Sequence, residues 1–205
     1  MPEPAPVVFV VDDDISIRES LQALIGTEGM RVEAFASAEE FLARPRVRSA
    51  SCLVLDVSLP ALNGLDLQQL VAIDRGDMPI IFITAHGDVP MTVKAMKAGA
   101  LEFFTKPFDV DVLLAAIRDA IVRSRNALQS EEYIRRLRED YATLSRRERE
   151  VMSLVVKGRL NKQVGGELGI SEITVKVHRA SVMKKMKAGS LADLVNMAAR
   201  LTDTK

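Results

Sequence analysis

The sequence predicts an α/β protein in two parts. The first is a doubly wound, five-stranded parallel sheet of the flavodoxin-like kind, and the second is an all-α, four-helix module. Three observations carry this reading. Short β-branched runs alternate with helix-period segments from Val7 to residue 124, strand signals cease after Thr143, and the charge of the chain divides near the same place.

The first strand signal is Val7 to Val11, followed by a helical period over Ile15 to Glu28, a second strand over Arg31 to Phe35 and a helix over Ala38 to Arg44. Leu53 to Asp56 and Pro79 to Thr84 are nearly all apolar, as strands covered on both faces must be, and a fifth strand covers Glu102 to Thr105. From Asp109 a helical pattern places Leu113, Ile117 and Ile121 toward the sheet, then continues at wider spacing through Leu128, Ile134, Leu137 and Tyr141. Arg123 to Asp140 is highly charged and free of Gly and Pro, so it is expected to extend the last helix as a helical linker. The expected division is a first domain over 6–124, the linker over 125–140 and a helical domain over 141–205. In the last part Ser145 with Glu148 forms a capping box, Ser171 and Ser190 precede amphipathic runs, and Gly158, Gly169 and Gly189 act as stop signals. A short helix over Asn161 to Leu168 completes the four.

The net charge is zero, with 28 basic and 28 acidic residues, yet residues 141–205 hold 13 Lys and Arg against 6 Asp and Glu. The rest holds 15 against 22. An acidic module suited to a cation and a basic module suited to phosphates follow from that split. Cys52 is the only cysteine and sits in an apolar run, which excludes a disulfide framework and a thiolate metal site. Trp is absent and aromatics are few, so a stacking platform for single-stranded nucleic acid is poorly supplied. The N-terminal tail has no apolar leader segment and no run of about 18 apolar residues follows, so the expectation is a cytoplasmic protein without a membrane partner.

Parallel sheets of this kind bind ligands beyond the carboxyl ends of their strands. Here strand one ends in Asp12, Asp13 and Asp14, strand three in Asp56, strand four in Thr84, and strand five in Lys106 before Pro107. Crowded carboxylates call for a cation, and oxygen-only ligands select a hard divalent ion, expected to be Mg²⁺. Its ligands would be a carboxylate of the Asp12/Asp13 pair, with Asp13 ahead of Asp12, a carboxylate oxygen of Asp56 and the backbone carbonyl of Ser58. A carboxylate beside Mg²⁺, with the Thr84 hydroxyl and Lys106 ammonium aimed at the same point, can attack phosphorus and form an acyl phosphate. Any one of these residues alone is more often a cap, a strand hydroxyl or a surface amine.

At these positions the chain resembles the receiver domain of two-component response regulators. VVDDD, LDVSLPALNG, ITAHGD and TKPF match in order and spacing, over about residues 6 to 124. The resemblance implies that Asp56 accepts phosphate from a sensor histidine kinase while Thr84 and Lys106 contact it. Counting back from Arg18 assigns the acidic pair to Asp12 and Asp13 and leaves Asp14 over. The aromatic that such domains use as a switch, three residues before the Lys, is Phe103 rather than Tyr, so it has no hydroxyl to bond when it turns inward. A phosphoryl group adds roughly −1.5 to −2 charge, which would draw Thr84 toward Asp56 and free space for Phe103. The helix from Val89 to Ala98, with Met91, Val93, Ala95 and Met96, would then serve dimerisation.

The run Ser171 to Met186 interleaves Lys176, His178, Arg179, Lys184 and Lys185 with apolar residues. Preceded by a short helix and a Gly-containing turn, it has the form of the second helix of a helix-turn-helix. LSRRERE, VVKGRLNKQV, LGISEITVKVH and MKKMKAGSLADLV resemble the LuxR-type DNA-binding domain, which with a receiver points to the NarL/FixJ class. That resemblance nominates Lys176, Val177 and Arg179 for base edges. Thr174, His178, Lys162 and Lys184 are expected to contact phosphates, which position the protein without specifying sequence. Ala180 and Ser181 stand where some members carry a further Lys. Gly165 and Gly166 replace an Ala-rich stretch, at an expected cost of about 1 kcal/mol each.

The sequence therefore predicts a transcription factor, not an enzyme. It would be activated by phosphorylation of Asp56 and would bind double-stranded promoter DNA as a homodimer, with Leu191 to Leu201 as a second dimer surface. Two rivals stand beside it. An Mg²⁺-dependent phosphohydrolase commonly needs a second Asp two residues after its nucleophile, where this chain has Ser58; a signalling adaptor would bind protein or RNA through the helical module.

Overall fold

The computed structural model describes residues 4–202. The chain divides into two compact units at Gln129/Ser130. In the first unit β1 (Val7–Val11), β2 (Arg31–Phe35), β3 (Ser51–Asp56), β4 (Ile80–Thr84) and β5 (Glu102–Thr105) form one parallel sheet in the order β2-β1-β3-β4-β5. Between them run α1 (Ile15–Gly26), α2 (Ala38–Ala43), α3 (Gly64–Asp74) and α4 (Val89–Lys97). The first part of α5 (Val110–Ala142) follows.

The pleat sorts the apolar runs into two cores. Val7, Phe9 and Val11 of β1, Leu53 and Leu55 of β3 and Phe82 of β4 meet Phe41 of α2, Leu67 and Val71 of α3 and Ala95 of α4. Val8, Val10, Cys52, Val54, Ile81 and Ile83 point the other way, onto Leu21 and Ile25 of α1 and Leu113, Ile117 and Ile121 of α5. Continuous apolar runs are thus a requirement of two-sided burial, and each such side chain contributes about 1.5–3 kcal/mol. Burial pushes the Cys52 thiol up to about 12. Side-chain caps start four helices of this unit: Asp14 on α1, Ser37 on α2, Asn63 on α3 and Asp88 on α4.

The second unit contains the end of α5, then α6 (Arg146–Val155), α7 (Asn161–Leu168), α8 (Glu172–Lys185) and α9 (Leu191–Thr202) around a core of Leu137, Val151, Met152, Val155, Val164, Val175, Val182, Met186 and Leu194. The expected Ser145/Glu148 capping box is present. Glu148 also accepts from Ser181 Oγ at 2.5 Å and Lys185 Nζ at 2.7 Å, which fastens α6 to α8. These contacts, the Lys185 bond first, hold its carboxyl down at about 2.

Two local expectations change. The left-handed position after α8 belongs to Lys187, φ 56°, rather than to Gly189, which is not left-handed. Gly165 is a packing requirement: a Cβ there would lie 2.7 Å from the Ile170 carbonyl oxygen, whereas one on Gly166 would meet open space. Only Gly166 carries the uncompensated cost of a helical glycine.

Candidate functional site

Register and pleat bring the strand ends together. Val11 pairs with Leu55, so Asp12 and Asp56 lie side by side just beyond, at the point where the strand order reverses between β1 and β3. Both fall on the α1/α5 side of the pleat, as does Lys106, because Val11, Leu55 and Phe103 belong to the opposite core. Thr84 pairs with Thr105, and the Lys106 N–H donates to the Thr84 carbonyl at 2.7 Å.

Lys106 Nζ donates to Asp12 Oδ2 at 2.7 Å and to Asp56 Oδ2 at 2.9 Å. Each carboxylate has its other oxygen tied to backbone: Asp12 Oδ1 accepts from the Asp14 N–H at 2.9 Å, and Asp56 Oδ1 from the Ser58 N–H at 2.9 Å. Asp12 is fully buried, and that burial raises its pKa above the ordinary carboxylate value despite the Lys106 bond. Burial opposes the charge on Lys106, but its bonds to Asp12 and Asp56 outweigh it and raise its pKa. Buried carboxylates held by one ammonium form a site where a further positive charge is favoured.

Asp13 differs from its neighbour. It is exposed, its carboxylate has no bonding partner among the described residues, and it can bring one oxygen within 4.8 Å of oxygens of Asp12 and Asp56. Three carboxylates on a strand-end rim, one of them without a partner, fit a hard divalent cation. Asp14, the acid left over in the sequence, caps α1 by accepting from the Ser16 N–H at 2.8 Å. Arg18, which served only as a counting mark, has a structural role: its Nη1 donates to the backbone carbonyls of Asp12 at 2.7 Å and Asp13 at 2.9 Å.

Thr84 is fully buried, and its hydroxyl accepts from the His86 N–H at 3.3 Å. Phe103 is partly buried, with its ring centroid 5.9 Å from that of Phe82. Sequence reasoning passed over the residue between them. A Cβ on Gly87 would lie 2.8 Å from Thr105 Cγ2, 3.0 Å from Phe103 Cε1 and 3.3 Å from Thr84 Cγ2, so glycine alone leaves these side chains where they are. On α4, Ala95 is core and Met91 packs against it, whereas Val89, Val93 and Met96 are exposed.

In the second unit the nominated residues lie on or beside α8. Ser171 caps the helix and its hydroxyl bonds that of Thr174 at 2.8 Å. Lys176, Val177 and Lys184 are exposed, and Lys176 pairs with Glu172 at 3.4 Å. His178 is half-buried. Arg179 is turned toward α7, its Nη1 donating to Asn161 Oδ1 at 3.2 Å, while Lys162 on that helix is exposed. The α7–α8 turn passes through Gly169 in the left-handed conformation, φ 64°.

A parallel sheet with an acidic rim bridged by lysine, in one chain with a basic helix-turn-helix, defines a receiver joined to a DNA-binding module. Residues 8–118 match the response regulator receiver domain family, and residues 142–198 match the luxR family of bacterial regulatory proteins. The chain belongs to the two-component response regulators of the NarL/FixJ class. It is 51% identical over 195 residues to nodulation protein W of Bradyrhizobium diazoefficiens, covering 95% of this chain and 86% of that one. It is 45% identical over 204 residues to the response regulator protein TodT of Pseudomonas putida, covering 100% and 90%. Among solved structures it is similar to the response regulator StyR, with TM-score 0.84, 45% identity and coverage of 96% and 99%. Full-length FixJ from B. japonicum is similar at TM-score 0.57 and 40% identity over the whole of both chains. No helix among the described residues is long and apolar enough to cross a membrane.

Proposed function

We propose that Asp56 is the phosphoacceptor of this response regulator, taking a phosphoryl group from a sensor histidine kinase in the cytoplasm and retaining it as a signal that controls binding to promoter DNA. The observation that carries this reading is the Lys106 ammonium seated between Asp12 and Asp56 at 2.7 and 2.9 Å. One Asp56 carboxylate oxygen attacks phosphorus, the bond from phosphorus to the donor nitrogen breaks, and an acyl phosphate results. Lys106 stays within reach of the transferred oxygens. Asp12, Asp13, Asp56 and the Ser58 carbonyl would hold Mg²⁺, which when bound supplies neutralisation of the phosphoryl charge. The Ser58 N–H holds the attacking carboxylate in orientation.

Thr84, whose hydroxyl accepts from the His86 N–H, would move to bond the new phosphoryl oxygens, and that movement would change the space available to Phe103 across Gly87. The exposed Val89, Val93 and Met96 of α4 then form a face on which a second copy docks. The chain is a regulator and has no turnover of its own to perform. In the DNA-binding unit Lys176, Val177 and Arg179 would face bases, with Arg179 first leaving Asn161, and Lys162, Thr174, His178 and Lys184 would face phosphates.

Asp56→Asn tests the assignment. Radiolabelled acetyl phosphate is expected to label the wild-type chain and not the variant; equal labelling would move the acceptor elsewhere. Lys176→Ala is expected to keep the label and lose specific duplex binding.

A further inference from the structure

The solvent face of α8 carries two large apolar side chains that packing within the unit leaves uncovered, Ile173 at 75% exposure and Val177 at 62%. The other large apolar side chains of this helix are used internally: Val175 and Val182 are buried in the core and Met183 packs against it. Four residues apart, Ile173 and Val177 stand one above the other on one helix face, about 6 Å apart along the axis. That is the rise of roughly two base-pair steps. Lys176 lies beside the strip, held by Glu172.

The charge around the strip selects its partner. Residues 141–205 carry 13 basic against 6 acidic side chains, and Lys162, Lys176 and Lys184 are exposed. An apolar strip inside a basic surface fits a polyanion that presents apolar groups of its own. In the major groove thymine alone does so, through its 5-methyl group.

We propose that Ile173 and Val177 form a thymine-reading strip, each packing on the 5-methyl group of a different thymine within one half-site. Ile173 thereby becomes a specificity-determining residue, one that the hydrogen-bonding inventory of α8 overlooks because it has no donor to offer. The proposal rests on α8 being the groove helix and adds the base class it prefers. Cytosine at either position would present a donor and no methyl, and the strip would gain nothing from it.

Replacement of thymine by uracil removes the methyl and nothing else. Duplexes would be selected from a random pool by the full-length chain treated with acetyl phosphate, and single thymines in the winners changed to uracil. Two positions per half-site are expected where uracil weakens wild-type binding about fourfold, one methyl's worth of burial. Ile173→Ala should abolish the penalty at one position and Val177→Ala at the other, with the remaining penalty intact in each. Both side chains are exposed, so both variants should fold and accept label as the wild type does. Uracil tolerated everywhere, or a penalty that persists unchanged in both variants, overturns the thymine strip while leaving DNA binding in place. Failure to enrich any duplex would overturn the groove-helix reading itself.

Discussion

Gly64 and Asp56 share a backbone contact so close that a Cβ on Gly64 would lie 2.3 Å from the Asp56 carbonyl oxygen and 2.9 Å from Val57 Cα. The Gly64 N–H donates to the Val57 carbonyl at 3.0 Å, so the start of α3 is pressed against the end of β3 directly behind the carboxylate. Gly64→Ala must push these backbones apart. A stability loss of about 2 kcal/mol is expected, as for other overpacked sites. Displacement of Asp56 relative to Lys106 should also slow labelling by acetyl phosphate at temperatures where the variant is folded. A variant with full stability and full labelling would contradict the contact.

Lys106→Met removes the ammonium between Asp12 and Asp56 and keeps the stem. Two buried carboxylates are then left without their counter-charge, and breaking a buried ion pair of this kind costs about 3–5 kcal/mol when nothing replaces the partner. A divalent cation can replace it. Mg²⁺ is therefore expected to raise the melting temperature of Lys106→Met by more than it raises that of the wild type, measured by thermal unfolding with and without 10-fold excess chelator. Equal shifts would mean that the two cations do not share the carboxylates.

The two glycines of α7 separate cleanly. Gly166→Ala should stabilise the DNA-binding unit by about 1 kcal/mol, because it removes helical glycine entropy at an open position. Gly165→Val should destabilise it, because its side chain would displace the Ile170 carbonyl and the turn into α8. Urea titration of the two single variants checks both signs.

Glu148 sets a pH dependence. Its folded pKa, about 2, lies below the unfolded value, so its bonds to Lys185, Ser181 and Ser145 contribute fully above pH 4.5. That contribution is lost as pH falls from there toward 2. Glu148→Gln should be less stable than wild type at neutral pH, and the gap should narrow across that window. Circular dichroism melts at pH 6 and pH 3 measure it.

What could be read before folding, and what could not, follows from the range of the forces involved. The βα alternation was legible because strands covered on both faces have no room for polar residues. With the strands placed, Asp12, Asp56, Thr84 and Lys106 fell at their ends by counting. Asp14 was left over in that count because a helix cap and a cation ligand look alike until the backbone turns, and Asp14 turns to cap α1. Gly64, Gly87 and Gly165 are required by atoms 3 to 18 residues away, which no local pattern encodes. Lys187 takes the left-handed position that Gly189 suggested by composition, since Met186 is already core and the helix must end behind it. Arg18 was legible as a charge but not as a clamp on two carbonyls.

Cys52 sits at the centre of the sheet with its sulfur sealed from water and its thiol pushed up to about 12. Thiolate, the reactive form, is essentially absent at neutral pH, and no probe can approach it in the folded state. As the chain's sole cysteine, it makes the native protein silent toward maleimides and iodoacetamide. A single cysteine introduced at an exposed site, Val93 on α4 or Ala180 on α8, would then be the only address for a fluorophore or spin label, with no background to subtract.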